Sequence, residues 1–374
     1  MTIVKSDINQ NISSNIGNSS SKGEIPIQNI YYMLSYAYKN LKINNNVLRE
    51  SEYIPHIYDL LSRLLIEAIN NLIRRGFYKE YILKNEDTSN IKGKINITES
   101  IKRRTTIYKK LNCSYDDFSE NVLFNQIIKT TMDNLIRIDA LDNTYKKNLK
   151  KLRPFFINVD SINLKASTFK SIMWNRNNRY YMLIINICEL IQIYRLPNEK
   201  EDNPTHTFKD FIQNHEKEMA NLFENFVFNF FKKEFKELKV HKPHINWNLD
   251  SGFSEEKGTE YLPNMRTDIV LEYEDKQLII DTKFYKKILS SFHEKTMLHS
   301  PNLYQIYTYV NNSDFDGEIS GMLLYAALPY EKSKKIDYKY KIQDKVIQIK
   351  TLDLNQNWKS IDKDLRKIVN TTFK

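Results

Sequence analysis

Cysteine is nearly absent. Cys113 and Cys188 are the only two in 374 residues, too few for a disulfide framework or a zinc cluster, so a reducing cytoplasm is the expected compartment. Long apolar runs are missing as well. The longest stretch, Tyr180 to Tyr194, is short for a bilayer span and is interrupted by Glu189, and no charged-then-apolar signal sequence opens the chain. No membrane association is expected. A phosphate loop is also lacking: Gly17-Asn-Ser-Ser-Ser-Lys22-Gly23 has Lys and Gly in the wrong order and follows no strand, so this segment is rejected as a nucleotide site. There is no internal repeat.

What is present is charge and length. Lys and Arg number 56 against 46 Asp and Glu, giving +10, which makes a polyanionic partner plausible without establishing one, because abundant Lys, Asn, Ile and Tyr also follow from an AT-rich genome. The length allows about two domains. Residues 1–24 are rich in Ser, Asn and Gly and are expected to be a disordered tail. Residues 25–195 read as an N-terminal α+β domain, mainly helical with short strands, and 207–374 as an α/β domain, with Leu196 to His206 as linker.

Helical spacing runs through Ile30, Met33, Leu34, Ala37 and Leu41, and again from Ile54 to Ile73 with Gly76 at the C-terminal cap position; these two helices are expected to pack together. Strand-like pieces follow at Tyr78 to Leu83 and Ile91 to Ile97. The basic cluster Lys102, Arg103, Arg104, Lys109 and Lys110 is either a solvated face or a nucleic-acid or partner surface. A helix is expected from Phe118, with Ser119 as N-cap, and another from Met182 to Ile193. Between them, Trp174 to Tyr181 sets two arginines among aromatics, either a nucleic-acid contact or a corner between packed helices. Further on come a helix from about Gln213 to Leu238, a strand at His244 to Leu249, a hairpin, a helix at Asn302 to Val310, a strand at Ile319 to Leu328, a second hairpin at Tyr338 to Leu352 and a closing helix.

The first hairpin, Met265 to Tyr285, carries the chemistry. A two-residue turn at Asp275-Lys276 would set Asp268 opposite Lys283, and the side-chain period of two puts Asp281 on the same face. The run Leu278 to Asp281 is the apolar type of a strand buried on both sides, where an unpaired carboxylate is costly. Asp268, Asp281 and the Thr282 carbonyl offer hard oxygens for Mg2+, and Lys283 can orient or deprotonate a water. Glu224 sits among residues that want the core and reads as a further acid or an ordinary boundary carboxylate. Gln305 and Tyr309, four apart on one helix face, can support Lys283, bind a DNA backbone or form a polar rim.

The ordered set of acidic helix, Asp268, twelve residues, Asp281-Thr-Lys283, then Gln305-x-x-x-Tyr309 resembles the PD-(D/E)xK nuclease superfamily, with Thr267 where its Pro would stand. A closer resemblance is to McrC. It is carried by Ile25 to Tyr38, Ile91-Lys-Gly-Lys-Ile95, Asp117-Phe-Ser-Glu-Asn121, Asn125-Gln-Ile-Ile-Lys129, Asn178-Arg-Tyr-Tyr181, Leu262 to Asp268, Ile280 to Tyr285 and His299 to Gln305. The resemblance implies a Mg2+-dependent DNA endonuclease subunit with a restriction-endonuclease-like C-terminal domain. It further implies an N-terminal half that inserts into a hexameric McrB-like AAA+ GTPase ring and stimulates it. GTP would be bound by that partner, and the substrate would be double-stranded DNA carrying modified cytosine. The positions carried over are Asp268, Asp281 and Lys283, with Glu224, Gln305 and Tyr309 as supporting residues. The alternative is a non-cutting regulatory adaptor of a ring NTPase.

Overall fold

The computed structural model describes residues 25–38, 54, 56–195, 216–249, 256–285, 289–292, 295–328 and 335–374. The expected tail and linker lie outside these. The chain forms two compact units, one from Pro55–Pro204 and the other from Met1–Ile54 together with Thr205–Lys374.

The first helix, α1 (Ile27–Ala37), falls in the second of these units. Its packing is on the helices of residues 216–234 and 358–373, so α1 is grouped with the unit that holds the second half of the chain, where the sequence reading placed it with residues 25–195. Helical spacing identifies an apolar face but not what covers it.

In the unit of residues 55–204, α2 (Ile57–Arg75) buries Leu61, Leu64, Leu65 and Leu72 and ends at Gly76, whose φ of 89° suits glycine. Strand β1 (Glu80–Thr88) follows, then β2 (Lys94–Ile95), α3 (Ile97–Lys102) and β3 (Leu111–Ser119). β1 pairs with β3 antiparallel along its whole length, and β2 pairs with β3 on its other side. Phe118 and Ser119 thus close a strand, where a helix start was expected. Helix α4 (Leu123–Ile136) begins after Val122, and Ser119 Oγ instead accepts the Asn121 amide at 3.1 Å. The strand escaped detection because Asn112 and Asp116 interrupt any apolar alternation. α5 (Asn143–Leu152), α6 (Ala166–Lys170) and α7 (Met182–Arg195) complete the unit, with α7 packed on α2 and α4.

The Trp174 to Tyr181 segment serves as a packing corner. Tyr181 is fully buried, its hydroxyl donates to Asn125 Oδ1 at 2.6 Å and accepts the Tyr78 amide, and Arg75 stacks 3.9 Å over the Tyr180 ring. Arg176 and Arg179 stay exposed, as do all five residues of the basic cluster.

In the other unit, α1 lies on α8 (Glu216–Glu234), and the tyrosines explain why. Tyr32 meets Phe226 and Tyr36 meets Phe230 at ring distances of 5.7 and 5.2 Å, and the Tyr36 hydroxyl bonds Glu234. Strands β4 (Lys239–His241) and β5 (His244–Ile245), short helix α9 (Glu256–Thr259) and β6 (Met265–Arg266) lead to β7 (Ile269–Tyr273) and β8 (Lys276–Lys283). The strand expected at His244 to Leu249 thus shrinks to two residues, and β4 was not anticipated. After β9 (Leu289–Phe292) and β10 (Lys295–Leu298) come α10 (Ser300–Asn312), β11 (Glu318–Ala327), β12 (Asp337–Ile342), β13 (Lys345–Asp353) and α11 (Trp358–Phe373).

The main sheet has the order β12-β13-β11-β8-β7-β4, with β8, β11 and β13 mutually parallel and the remaining pairs antiparallel. One face, with Val270, Ile279, Leu323 and Ile347, is covered by Ile306 and Val310 of α10. On the opposite face Leu278, Ile280, Met322 and Leu324 are buried as well, and Phe284 meets Phe223 of α8 at 6.2 Å. Coverage on both sides accounts for the continuous apolar run in β8.

Gly321 of β11 permits the close approach of α10: a Cβ there would lie 2.8 Å from both Ile306 and Val310 and 2.9 Å from Ile347. Gly321→Ala is expected to cost about 1–3 kcal/mol by overpacking, read as a lower denaturant midpoint.

Candidate active site

The turn between β7 and β8 is Glu274-Asp275, one residue earlier than expected. Tyr273 pairs with Lys276 and Ile269 with Ile280, so the register continues to Asp268 beside Asp281 rather than opposite Lys283. Glu274 takes a φ of 50°, and the Asp275 carbonyl accepts the Glu318 amide at 2.7 Å, which pins the turn to the start of β11. The shift moves the register by two, and a shift of two preserves the face. Asp281 and Lys283 therefore still share the side covered by α10, and Asp268 reaches them from the end of the ladder, one residue before β7.

Thr267 is buried and anchors the residues before β7 by donating its hydroxyl to the Pro243 carbonyl at 2.8 Å. Asp268 then uses Oδ2 to accept both the amide and the hydroxyl of Thr282, each at 2.8 Å. In an extended strand the carbonyl and amide of one residue face the same antiparallel neighbour, so the Thr282 carbonyl belongs to this edge too.

Asp281 is 1% exposed. Its Oδ2 lies 2.8 Å from Lys283 Nζ, within ion-pair distance, yet has no aligned hydrogen bond. Burial first, then the neighbouring Asp268 carboxylate, raises its pKa to about 7 against the pull of Lys283. Burial alone would lower Lys283, but Asp281 and Asp268 outweigh it and hold the ammonium above its ordinary range.

Lys283 also donates to Gln305 Oε1 at 3.0 Å; Gln305 Nε2 donates to the Tyr309 hydroxyl at 2.8 Å, which donates to the Arg266 carbonyl at 3.0 Å. Gln305 and Tyr309 therefore form a chain from Lys283 back to the end of β6, two residues before Asp268. Glu224 lies close enough to raise the Asp281 pKa, but its carboxylate is paired with Lys242. Lys242 was not anticipated from the sequence, where nothing in Val240 to His244 distinguishes it from a surface lysine. Among the described residues no group of three or more His, Cys, Asp or Glu side chains is arranged as a metal cluster. Metal capacity rests on two carboxylates and the main chain.

The raised Asp281 pKa has a signed consequence. An unfolded Asp titrates near 3.9, so between about pH 4 and 7 the folded chain holds a proton that the unfolded chain has released. Stability of the metal-free chain is expected to fall as pH rises through that window. Chemical denaturation at pH 5 and pH 8, each referenced to Asp281→Asn, isolates the contribution.

Residues 4–326 match the family model described as McrBC 5-methylcytosine restriction system component. The chain belongs to this family. It is 30% identical over 352 residues, 94% of this chain and 99% of the relative, to the Type IV methyl-directed restriction enzyme EcoKMcrBC of Escherichia coli (strain K12). In fold it is similar to a solved half-complex from a tetradecameric assembly of Thermococcus gammatolerans McrB AAA+ hexamers with bound McrC. That match has a TM-score of 0.50 and 16% identity, covering 92% of this chain and 76% of that one. The McrBC match bears out the resemblance read from the sequence motifs. Its span includes Glu224, Asp268, Asp281, Thr282, Lys283, Gln305 and Tyr309. No helix among the described residues is long and apolar enough to cross a membrane.

Proposed function

We propose that this chain is the DNA-cleaving, McrC-type subunit of a McrBC-type restriction system, with a PD-(D/E)xK catalytic domain. It hydrolyses phosphodiesters of double-stranded DNA carrying modified cytosine, and it binds a McrB-like AAA+ GTPase hexamer whose GTP turnover it stimulates. The observation that carries the reading is the convergence of Asp268, Asp281 and Lys283 at one strand end, with Lys283 held between Asp281 and Gln305.

The donor set fits Mg2+. Two neighbouring carboxylates, one of them buried and balanced by a single ammonium, suit a hard dication. Asp268, Asp281 and the Thr282 carbonyl would hold the ion. When bound, it would neutralise phosphoryl charge and acidify a water. The chain's own residues do the rest. Asp281 must give up its proton to serve as a ligand. Lys283, fixed from two sides, presents N–H donors to the attacking water and the phosphoryl oxygens. Thr282 fixes the Asp268 carboxylate through two hydrogen bonds.

Reconstitution with the cognate GTPase, GTP and Mg2+ on methylated and unmethylated DNA tests this. Cutting of methylated DNA that requires all components is expected. Stimulated GTP turnover without any nick would favour the adaptor reading, and efficient cutting without a partner would point to a standalone nuclease.

A further inference from the structure

We propose that Asn302 is a positioning residue, clamping the first turn of α10 so that Gln305 meets Lys283. The proposal rests on the nuclease reading for its effect on rate, but not for its effect on Lys283 itself. Asn302 is 5% exposed and sits between two strands. Its Nδ2 donates to the Tyr325 hydroxyl at 3.0 Å, and its Oδ1 accepts from the Tyr285 hydroxyl at 3.2 Å. Tyr285 follows the end of β8 just past Lys283. Tyr325 is fully buried on β11 and is the register partner of Lys283.

One amide therefore ties the helix to the segment that follows Lys283 and to β11 beside it. Gln305 is three residues further along α10, on the same face as Asn302. The height and rotation that Asn302 imposes on the first turn are thus passed directly to the side chain that accepts from Lys283. Apolar packing beneath, through Ile306 and Val310, holds the helix down on the sheet. Packing is non-directional and leaves sliding along the strands weakly opposed, whereas two hydrogen bonds with opposite roles fix position. The ring contacts of Tyr285 with Tyr325 at 6.3 Å and with His299 at 5.2 Å limit the freedom of the clamp.

The test uses the full chain and its GTPase partner, with Asn302→Leu, which keeps volume but breaks both bonds, and Tyr325→Phe, which removes one hydroxyl. Two readouts are taken on protein shown to be folded by its melting curve. The first is acylation of Lys283 by an amine-reactive reagent, followed by mass spectrometry. Its side chain is 15% exposed, and release from Gln305 is expected to speed labelling several-fold. The second is cleavage, where Asn302→Leu is expected to lower kcat by about 10- to 100-fold, with KM for DNA within about twofold. Tyr325→Phe is expected to shift both readouts the same way by less, and it carries the test if Asn302→Leu does not fold. Labelling at the wild-type rate in a folded variant, or a loss confined to KM, overturns the proposal. A wild-type chain that never cuts DNA overturns the nuclease reading instead, and the labelling still decides the role of Asn302.

Discussion

Asp281→Asn is expected to lower DNA cleavage by about 10^3-fold or more while making the metal-free chain more stable. The first half follows from loss of a ligand whose ion contributes several kcal/mol to charge stabilisation, at about 1.4 kcal/mol per tenfold in rate. The second half follows from burial. The Asp281 carboxyl is pushed to about 7, roughly three units above an unfolded Asp, so ionising it in the folded chain at pH 8 costs about 2–4 kcal/mol. Asn has nearly the shape of the protonated acid and avoids that cost. The gain should be greatest above pH 7 and vanish below about pH 4, where both states are protonated. Paired unfolding curves and single-turnover cleavage on the same preparations check both halves. A residue kept only for structure would show the opposite, with the substitution destabilising the fold and sparing the chemistry. Stimulation of the partner's GTP turnover should be unchanged.

Tyr32→Ala is expected to destabilise the unit that carries Asp268 by about 3–5 kcal/mol, although residue 32 is far from Asp268 in sequence. Tyr32 is 1% exposed, with its ring 5.7 Å from Phe226 and 5.3 Å from Trp358, and its hydroxyl donates to Asp362 at 3.0 Å. The same cluster holds Tyr36 on Glu234, and Arg366 joins Glu234 to Asp362. Asn29 donates to the Leu354 and Gln356 carbonyls, tying α1 to the segment before α11. Truncation up to residue 38 should therefore cost this unit its fold, whereas a division of the chain at residue 195 would predict that it folds intact. Tyr32→Phe keeps the rings and loses only the hydrogen bond, for about 1 kcal/mol. Denaturant unfolding read on the transition of this unit distinguishes the two substitutions, since a chain of two units need not unfold in one step.

The residues that converge were legible for a reason of symmetry. The turn was misplaced by one residue and the register by two, and a period of two leaves Asp281 and Lys283 on one face regardless, with Asp268 joining them from the residue before β7. The helix spacing of Gln305 and Tyr309 was equally robust, and the hydrogen-bonded chain from Lys283 to Arg266 follows from it. What each apolar face packs against was not legible. The apolar face of α1 gave a helix but not the phenylalanines of α8 that cover it. β3 hid behind its polar residues. Lys242, which occupies Glu224, has no local signature, because its role arises only when β4 brings it to α8. Asn302 was present in a quoted motif, but its meaning depends on Tyr325 meeting Lys283 across two parallel strands.

The most direct measurement is nicking of supercoiled, cytosine-methylated DNA by the reconstituted complex with GTP and Mg2+, comparing the wild-type chain with Asp268→Asn and Lys283→Ala. The account predicts cleavage by the wild type and its loss in both variants, with GTP turnover stimulated equally in all three. Cleavage by either variant at the wild-type rate would contradict it.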